Sequence, residues 1–208
     1  RLRAKWNVLG RSWYRLGERC SVLFADRLVS DADIIQEYYQ KTYKARSVVI
    51  RYGARAMGSD LAQAKCNNPF FRAEIADFPD DLGIEPGQYL LYVSRLEPEN
   101  NAHLVVAAYN SLPKELKRLP LIIVGDAPYA DKYKGELRSI AGENIRFAGF
   151  RFGAQYEALQ SGAFCYLQAT EVGGTHPALV EAIGFANCVI ANDTPEHREV
   201  IGNDAGLI

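Results

Sequence analysis

Thr170-Glu-Val-Gly-Gly-Thr-His-Pro-Ala-Leu-Val-Glu-Ala-Ile-Gly184 decides how this chain folds. An apolar run at 163–168 precedes it and a second, Cys-Val-Ile-Ala at 188–191, follows it. Each run has the length of a buried strand, and the segment between them has the length of a helix. Gly173 and Gly174 permit a tight turn and a close backbone approach, and Pro177 suits a first helical position, where its missing N–H has no intrahelical partner to lose. A strand, a glycine turn and a helix start together aim backbone N–H groups at one point, which suits an anion and above all a phosphate. Leu179, Val180 and Ile183 share a helix face that should pack on the sheet. Glu181 lies about 200° around the helix from Leu179, where its carboxylate could take the hydroxyls of a ribose. The plainer reading of the same residues is an ordinary strand, turn and helix with a solvated glutamate.

Outward from this stretch the alternation continues. Strands are expected at 89–93, 121–124 and 145–148, and helices at 99–112, 132–141, 153–162 and 195–201, with a last strand opening at 205–208. Such alternation predicts an α/β fold: a parallel sheet with helices on both faces, binding its ligand at the carboxyl ends of the strands. Residues 55–87, rich in Gly, Pro, Asn and Asp, read as a connection between domains, with short helical pieces at 61–65 and 70–78; Phe70 and Phe71 read as packing residues. Before it, 25–30 and 46–51 read as strands around a helix that Asp31 or Asp33 caps and that runs through Tyr43. This is a βαβ-like remnant of a second α/β domain. At the start, Leu2, Trp6, Leu9, Trp13, Leu16, Cys20 and Leu23 recur four and three apart, the seam of an amphipathic helix that also carries six Arg or Lys and only Glu18 as an acid. The seam suits packing on a sheet; a basic helix with tryptophans also suits an anionic membrane surface.

A hydrophobic content of 48% with 24% charged residues is that of a globular protein, and a net charge of −1 gives no case for a nucleic-acid partner. Cys20, Cys66, Cys165 and Cys188 show no metal-ligand spacing, and Cys165 and Cys188 fall in strand-like runs where a thiol acts as a small hydrophobe. A reduced, cytoplasmic compartment is expected, with the inner face of the membrane as the alternative place within it. No run reaches the length of a membrane span.

Arg95 leaves the strand at 89–93 at its carboxyl end, where a guanidinium can grip a pyrophosphate through two parallel hydrogen bonds; pairing with Glu97 or Glu99 is the alternative. His176, at a helix start, reads first as a polar cap. His103 and His197 read as packed or solvated side chains, and Arg198 is a distant candidate for a phosphate. The residues after that strand, Ser94-Arg-Leu-Glu-Pro98, are not Gly-x-Gly-x-x-Gly, which disfavours a dinucleotide-dependent dehydrogenase.

Gly-Gly-Thr-His-Pro-Ala-Leu-Val-Glu-Ala at 173–182 resembles the donor-site signature of family-4 retaining glycosyltransferases of the GT-B fold, and is similar above all to their bacterial rhamnosyltransferase-like branch. The resemblance extends to residues 20–54 and 88–208. It implies a GT-B-type, Rossmann-like donor domain at 88–208 truncated at its C-terminus, a connection at 55–87, and the end of the acceptor-side domain at 1–54. Ser94-Arg-Leu-Glu-Pro-Glu-Asn-Asn101 is similar to the family's diphosphate-binding segment, with Arg95 in place and Asn100 where lysine is usual. Gly125-Asp-Ala-Pro128 resembles a family turn that shapes the cleft, and Phe147-Ala-Gly-Phe150 the segment that receives the base, where Phe150 would stack. By the same resemblance the backbone of Gly173, Gly174, Thr175 and His176 would hold the diphosphate, Glu181 the ribose, and Arg95 and Glu181 would serve the reaction. The family's first glutamate has no counterpart: Gly173 stands eight before Glu181, and Glu171 is the nearest acid upstream. The implied activity is transfer of a sugar, hexosyltransferase-type, from a nucleoside-diphosphate-sugar to a glycan or lipid-linked acceptor in bacterial surface polysaccharide synthesis, with retention. No cofactor and no metal are expected, since the resemblance implies donor binding that is independent of a metal. The fragment by itself should bind donor but scarcely catalyse, and a nucleotide-sugar-binding module without transfer is the alternative.

Overall fold

Helix and strand alternate along the chain to give two separate parallel sheets. The computed structural model describes residues 8–68, 75–171 and 173–202. The expectations for Leu2, Trp6, Phe70, Phe71 and the strand at 205–208 therefore lie outside it.

The first unit runs α1 (Val8–Phe24), β1 (Leu28–Ser30), α2 (Asp33–Tyr43) and β2 (Ser47–Val49), with β1 and β2 paired in parallel. The expected cap of α2 is absent. The N-cap position is Ala32, and neither Asp31 nor Asp33 caps. Instead the carboxylate of Glu199, far along the chain, accepts the N–H groups of Asp33 at 2.6 Å and Ile34 at 3.2 Å. A carboxylate from another element satisfies the same orphan donors that a local Asp would have taken. Nor does α1 pack its seam on a sheet. It buries no residue, and Trp13 stays 76% exposed. Glu18 fastens α1 to α2 by accepting the hydroxyls of Tyr38 and Tyr43.

After α3 (Ser59–Asn67) the second unit follows as β3 (Leu90–Val93), α4 (Ala102–Ser111), β4 (Leu121–Val124), α5 (Asp131–Ile140), β5 (Ile145–Gly149), α6 (Gly153–Gly162), β6 (Cys165–Gln168), α7 (Pro177–Gly184), β7 (Cys188–Ala191) and α8 (Pro195–Ile201). Its five strands lie in the order β5-β4-β3-β6-β7, all parallel, so the winding reverses between β3 and β6. Alternate residues of β4 face opposite layers: Leu121 and Ile123 join Tyr92, Val106, Tyr109 and Leu137, while Ile122 and Val124 join Leu91, Leu159, Tyr166 and Leu179. Both faces of the sheet are thus covered, as the unbroken apolar runs require.

Three expectations are corrected here. The helix expected at 99–112 is broken: a short 3₁₀ turn, Pro98–Asn100, gives way to α4 through Asn101 at φ 61°, a left-handed conformation that Asn tolerates. Ile183 is 41% exposed, since the buried stripe of α7 is Leu179 and Ala182. The run at β7 is not a fully buried strand; Ile190 is 50% exposed and Cys188 exposed, because β7 lies at the edge of the sheet. The connection, finally, lies firmly on the second unit. The ammonium of Lys65 reaches the carbonyls of Ser161 at 2.7 Å and Phe185 at 3.2 Å and the side-chain oxygen of Asn187 at 2.6 Å, and burial pulls its pKa down to about 8.

Candidate functional site

A cavity of about 530 Å³ opens where the winding reverses, at the carboxyl ends of β3, β4 and β6. Its rim is set by the backbone. Ser94 N–H donates to Val124 O at 3.0 Å and Gly125 N–H to Gly149 O at 2.7 Å, which draws the tips of β3, β4 and β5 together. Gly125 has φ +115°, and a Cβ there would lie 2.0 Å from the carbonyl oxygen of Ser94. Only glycine allows this crossing.

Arg95, Asn100, Phe150, Gly173, Gly174, Thr175 and His176 all line this one cavity. The guanidinium of Arg95 is about half exposed and stands 3.6 Å from Glu97, whose buried carboxylate also accepts the Tyr129 hydroxyl at 2.6 Å. Only the arginine of this pair meets solvent, so an incoming anion can reach the open half of its guanidinium while Glu97 stays buried behind it. Asn100 also lines the cavity. Its amide donates to the carbonyl of Arg95 at 2.7 Å and braces the turn that presents the guanidinium. Phe150 stacks on Phe152 with centroids 5.7 Å apart and planes at 21°, and the two rings form an apolar wall beside Arg151.

Opposite Arg95, α7 begins with Pro177 at its first position and with His176 as N-cap. The expected polar cap is not made: His176 forms no side-chain cap bond, and its ring packs against Gly173 instead, where a Cβ would lie 2.9 Å from its Cε1. The helix start, uncapped by that side chain, opens on the cavity with the field of its N-terminus. The turn before it is tied to the first unit. Thr175 Oγ1 donates to Asp31 O at 3.1 Å, and the Asp31 carboxylate lies about 3 Å from where a Cβ of Gly174 would stand.

Glu181 is not in the cavity lining. Its carboxylate accepts the hydroxyl of Tyr156 at 2.5 Å, and Tyr156 is the residue that faces the cavity. Burial, then the Glu181 carboxylate, push the Tyr156 phenol well above its usual range, so it remains a hydrogen-bond donor. Glu171 faces elsewhere, into an apolar groove beside α4. Arg198, held by Asp193 through two hydrogen bonds, and His103, bonded to Tyr133 at 2.9 Å, are outside the lining. Tyr156, Arg151, Phe152 and Thr170 line the site without having been foreseen. Phe152, two residues from Phe150, was the one with a sequence signal. Among the described residues no group of three His, Cys, Asp or Glu could hold a metal ion, and no helix is long and apolar enough to cross a membrane.

The family model for glycosyl transferases group 1 matches residues 75–208. The chain belongs to that family. As a glycosyl transferase of group 1 it is similar to alpha-monoglucosyldiacylglycerol synthase of Streptococcus pneumoniae, 22% identical over 174 residues that make up 82% of this chain and 37% of that protein. It is also similar to O-antigen chain mannosyltransferase B of Escherichia coli, 28% identical over 123 residues, 58% of this chain and 32% of that one. The chain thus spans about a third of the length of these curated relatives. Among solved structures, Anabaena HepE in complex with UDP-glucose superposes with a TM-score of 0.71 over 93% of this chain and 52% of its own, at 19% identity. The fold of this group 1 chain is accordingly the α/β fold of the GT-B glycosyltransferases.

Proposed function

We propose that this chain is the donor-binding part, with the end of the acceptor-side part, of a retaining family-4 glycosyltransferase of the rhamnosyltransferase-like branch. It takes a sugar from a nucleoside-diphosphate-sugar to a glycan or lipid-linked acceptor in bacterial surface polysaccharide synthesis. The observation that carries this reading is the meeting of Arg95 with the Gly173–His176 turn and the start of α7 across one cavity. A guanidinium and a helix N-terminus facing each other suit a diphosphate, whose charge grows as the glycosidic bond breaks. The Phe150–Phe152 wall supplies an apolar flank for the base. Donor binding needs no metal in this reading, because Arg95 and the backbone take the role of a counter-ion. One relative is named as the synthase of a glucosylated diacylglycerol, the other as an O-antigen chain mannosyltransferase, and HepE was solved in complex with UDP-glucose, which supports donor and acceptor classes of this kind.

Titration calorimetry with UDP, GDP, dTDP and NAD tests the reading: one nucleoside diphosphate should bind and NAD should not. Binding of NAD alone would overturn it. Asn100 stands where the resemblance expects a lysine, and its amide donates to the carbonyl of Arg95; this favours a second reading, a module that binds nucleotide sugars without transferring them. Transfer of a labelled sugar by the full-length protein separates the two.

A further inference from the structure

Asp31 follows the carboxyl end of β1, and its two polar ends do different work. Its carbonyl oxygen accepts the Thr175 hydroxyl at 3.1 Å, which fixes the residue against the turn before α7. Its carboxylate fronts Gly174, where a Cβ would lie 3.0 Å from one oxygen and 3.2 Å from the other. Gly174 lines the donor cavity, so the carboxylate stands at the cavity's edge with only a glycine beside it. The neighbouring carboxylates are spent. Glu97 lies buried behind Arg95, Glu181 accepts the Tyr156 hydroxyl, Asp33 pairs with Arg51, and Glu199 holds the Asp33 and Ile34 N–H groups at the start of α2. The Asp31 carboxylate makes no hydrogen bond or ion pair among the described residues. Nor does the turn bring an acid of its own: Gly173 stands where the resemblance expects a glutamate, and Glu171 faces the groove beside α4.

We propose that Asp31 is a specificity-determining residue for the donor sugar: its carboxylate accepts hydroxyls of the sugar carried by the bound nucleoside diphosphate. The inference rests on the donor-site reading above and adds to it a contact from the first unit. An ionised carboxylate only accepts hydrogen bonds, so its ligand must donate. The phosphates of a nucleotide donate nothing and repel it, whereas a sugar hydroxyl donates, and two hydroxyls on neighbouring carbons match its two oxygens. In the donor-site reading the diphosphate lies against the start of α7, and the Gly173–Thr175 turn is the chain immediately before that start. A sugar hanging from the outer phosphate therefore meets Asp31 across Gly174. The bond from Thr175 keeps the carboxylate in place beforehand, and the missing side chain of Gly174 leaves it room. A sugar that presents hydroxyls at this edge is preferred to one that lacks them, because closing over an unpaired carboxylate is costly.

Calorimetry on the unmodified chain, Asp31→Ala and Asp31→Asn tests this with UDP against UDP-glucose, GDP against GDP-mannose and dTDP against dTDP-rhamnose. Both substitutions keep the main-chain carbonyl that Thr175 bonds. For the pair that binds, Asp31→Ala should lower affinity for the nucleotide sugar about tenfold, as expected for hydrogen bonds to a charged group. The bare diphosphate should lose less than about twofold, since a carboxylate offers it no attraction. Asp31→Asn keeps one acceptor oxygen and should recover part of the loss; where Asp31→Ala fails to fold, Asp31→Asn should still show a sugar-specific loss of about threefold. Equal losses for sugar and bare diphosphate, no loss, or binding of a bare diphosphate without its sugar counterpart would overturn the role of Asp31 while the donor site stood. Failure of the unmodified chain to bind any of the six compounds would remove the donor site and this inference together.

Discussion

In the five-stranded sheet Leu91, Leu121, Ile122, Ile123 and Tyr166 are wholly buried, whereas in the two-stranded sheet Val29 is 60% and Val48 55% exposed. The first unit of the chain does not build a core of comparable depth among the described residues. It is fixed to the second by polar contacts: Glu199 on the start of α2, Arg51 toward Glu199, and Thr175 on the carbonyl of Asp31. The difference teaches where rigidity and adjustment reside. Apolar layers make the second unit a firm template, and hydrogen bonds, which are cheaper to rearrange, join it to the first. The Gly173–Thr175 turn belongs to both, because it lines the cavity and also touches Asp31.

The sharpest way to break this contrast is to place the same change in each unit. Gly125→Ala puts a methyl 2.0 Å from the Ser94 carbonyl at a φ that alanine avoids. It should destabilise the five-stranded unit by about 4 kcal/mol or more in urea unfolding. Gly53→Ala, with nothing within 4 Å of the added carbon, should stay within about 0.5 kcal/mol. Comparable losses at the two sites would mean that the firm rim is not firm. Next in size, Arg95→Ala should weaken binding of the favoured nucleoside diphosphate about thirtyfold, as expected for a charge-assisted hydrogen bond near 2 kcal/mol. Arg198→Ala, whose guanidinium serves Asp193 outside the cavity, should change it less than about twofold. Calorimetry reads both, and equal effects would remove Arg95 from the site.

How much of this was legible in the sequence follows the same division. Leu121-Ile-Ile-Val124 and the run before Thr170 announce buried strands because both faces must be apolar, and Pro177 marks the first turn of α7 because its chemistry fits nowhere later in a helix. The gathering of Arg95, Phe150 and Gly173 at one rim follows from their places after the carboxyl ends of parallel strands, which alternation of strand and helix predicts. Contacts that cross between units were not legible. Asp31 and Asp33 have the right chemistry to cap α2, yet Glu199 takes the place, and nothing local in either segment records a partner more than 160 residues away. Ile183 fits the apolar face on spacing alone, but the sheet meets α7 along Leu179 and Ala182 and leaves it outside. Glu181 was read toward the cavity; Tyr156 stands between, and a tyrosine on a neighbouring helix carries no mark of that position in sequence.

Glu199→Ala probes the joint itself. It removes the carboxylate that caps α2, and losses of caps of this kind cost about 1–2 kcal/mol. Hydrogen exchange should speed up at Asp33 and Ile34 and leave β3 and β4 unchanged. Faster exchange throughout would show that the two units open together.

The smallest expected effect concerns Lys65, which binds the connection to the second unit through three oxygens. Burial lowers its folded pKa to about 8 from an ordinary 10.5, against a smaller opposing influence of Cys66. Between those values the unfolded chain holds a proton that the folded chain has released, so stability rises with pH through that window. Below about pH 8 both states are charged and the penalty of burying the ammonium is present in full; above the unfolded value it is gone. Between about pH 8 and 9 the gain should be about 1 kcal/mol, since the slope for one proton approaches about 1.4 kcal/mol per pH unit. Lys65→Met should abolish this rise, and subtracting its unfolding curve from that of the unmodified chain removes the contributions of other groups. The variant also leaves three acceptors without their donor, so it should be less stable at pH 7 even as its pH profile flattens. A stability that falls from pH 8 to 9 in the unmodified chain relative to Lys65→Met would show that the ammonium gains more from its three oxygens than it loses to burial. The connection would then be an anchor of the firm unit in its own right.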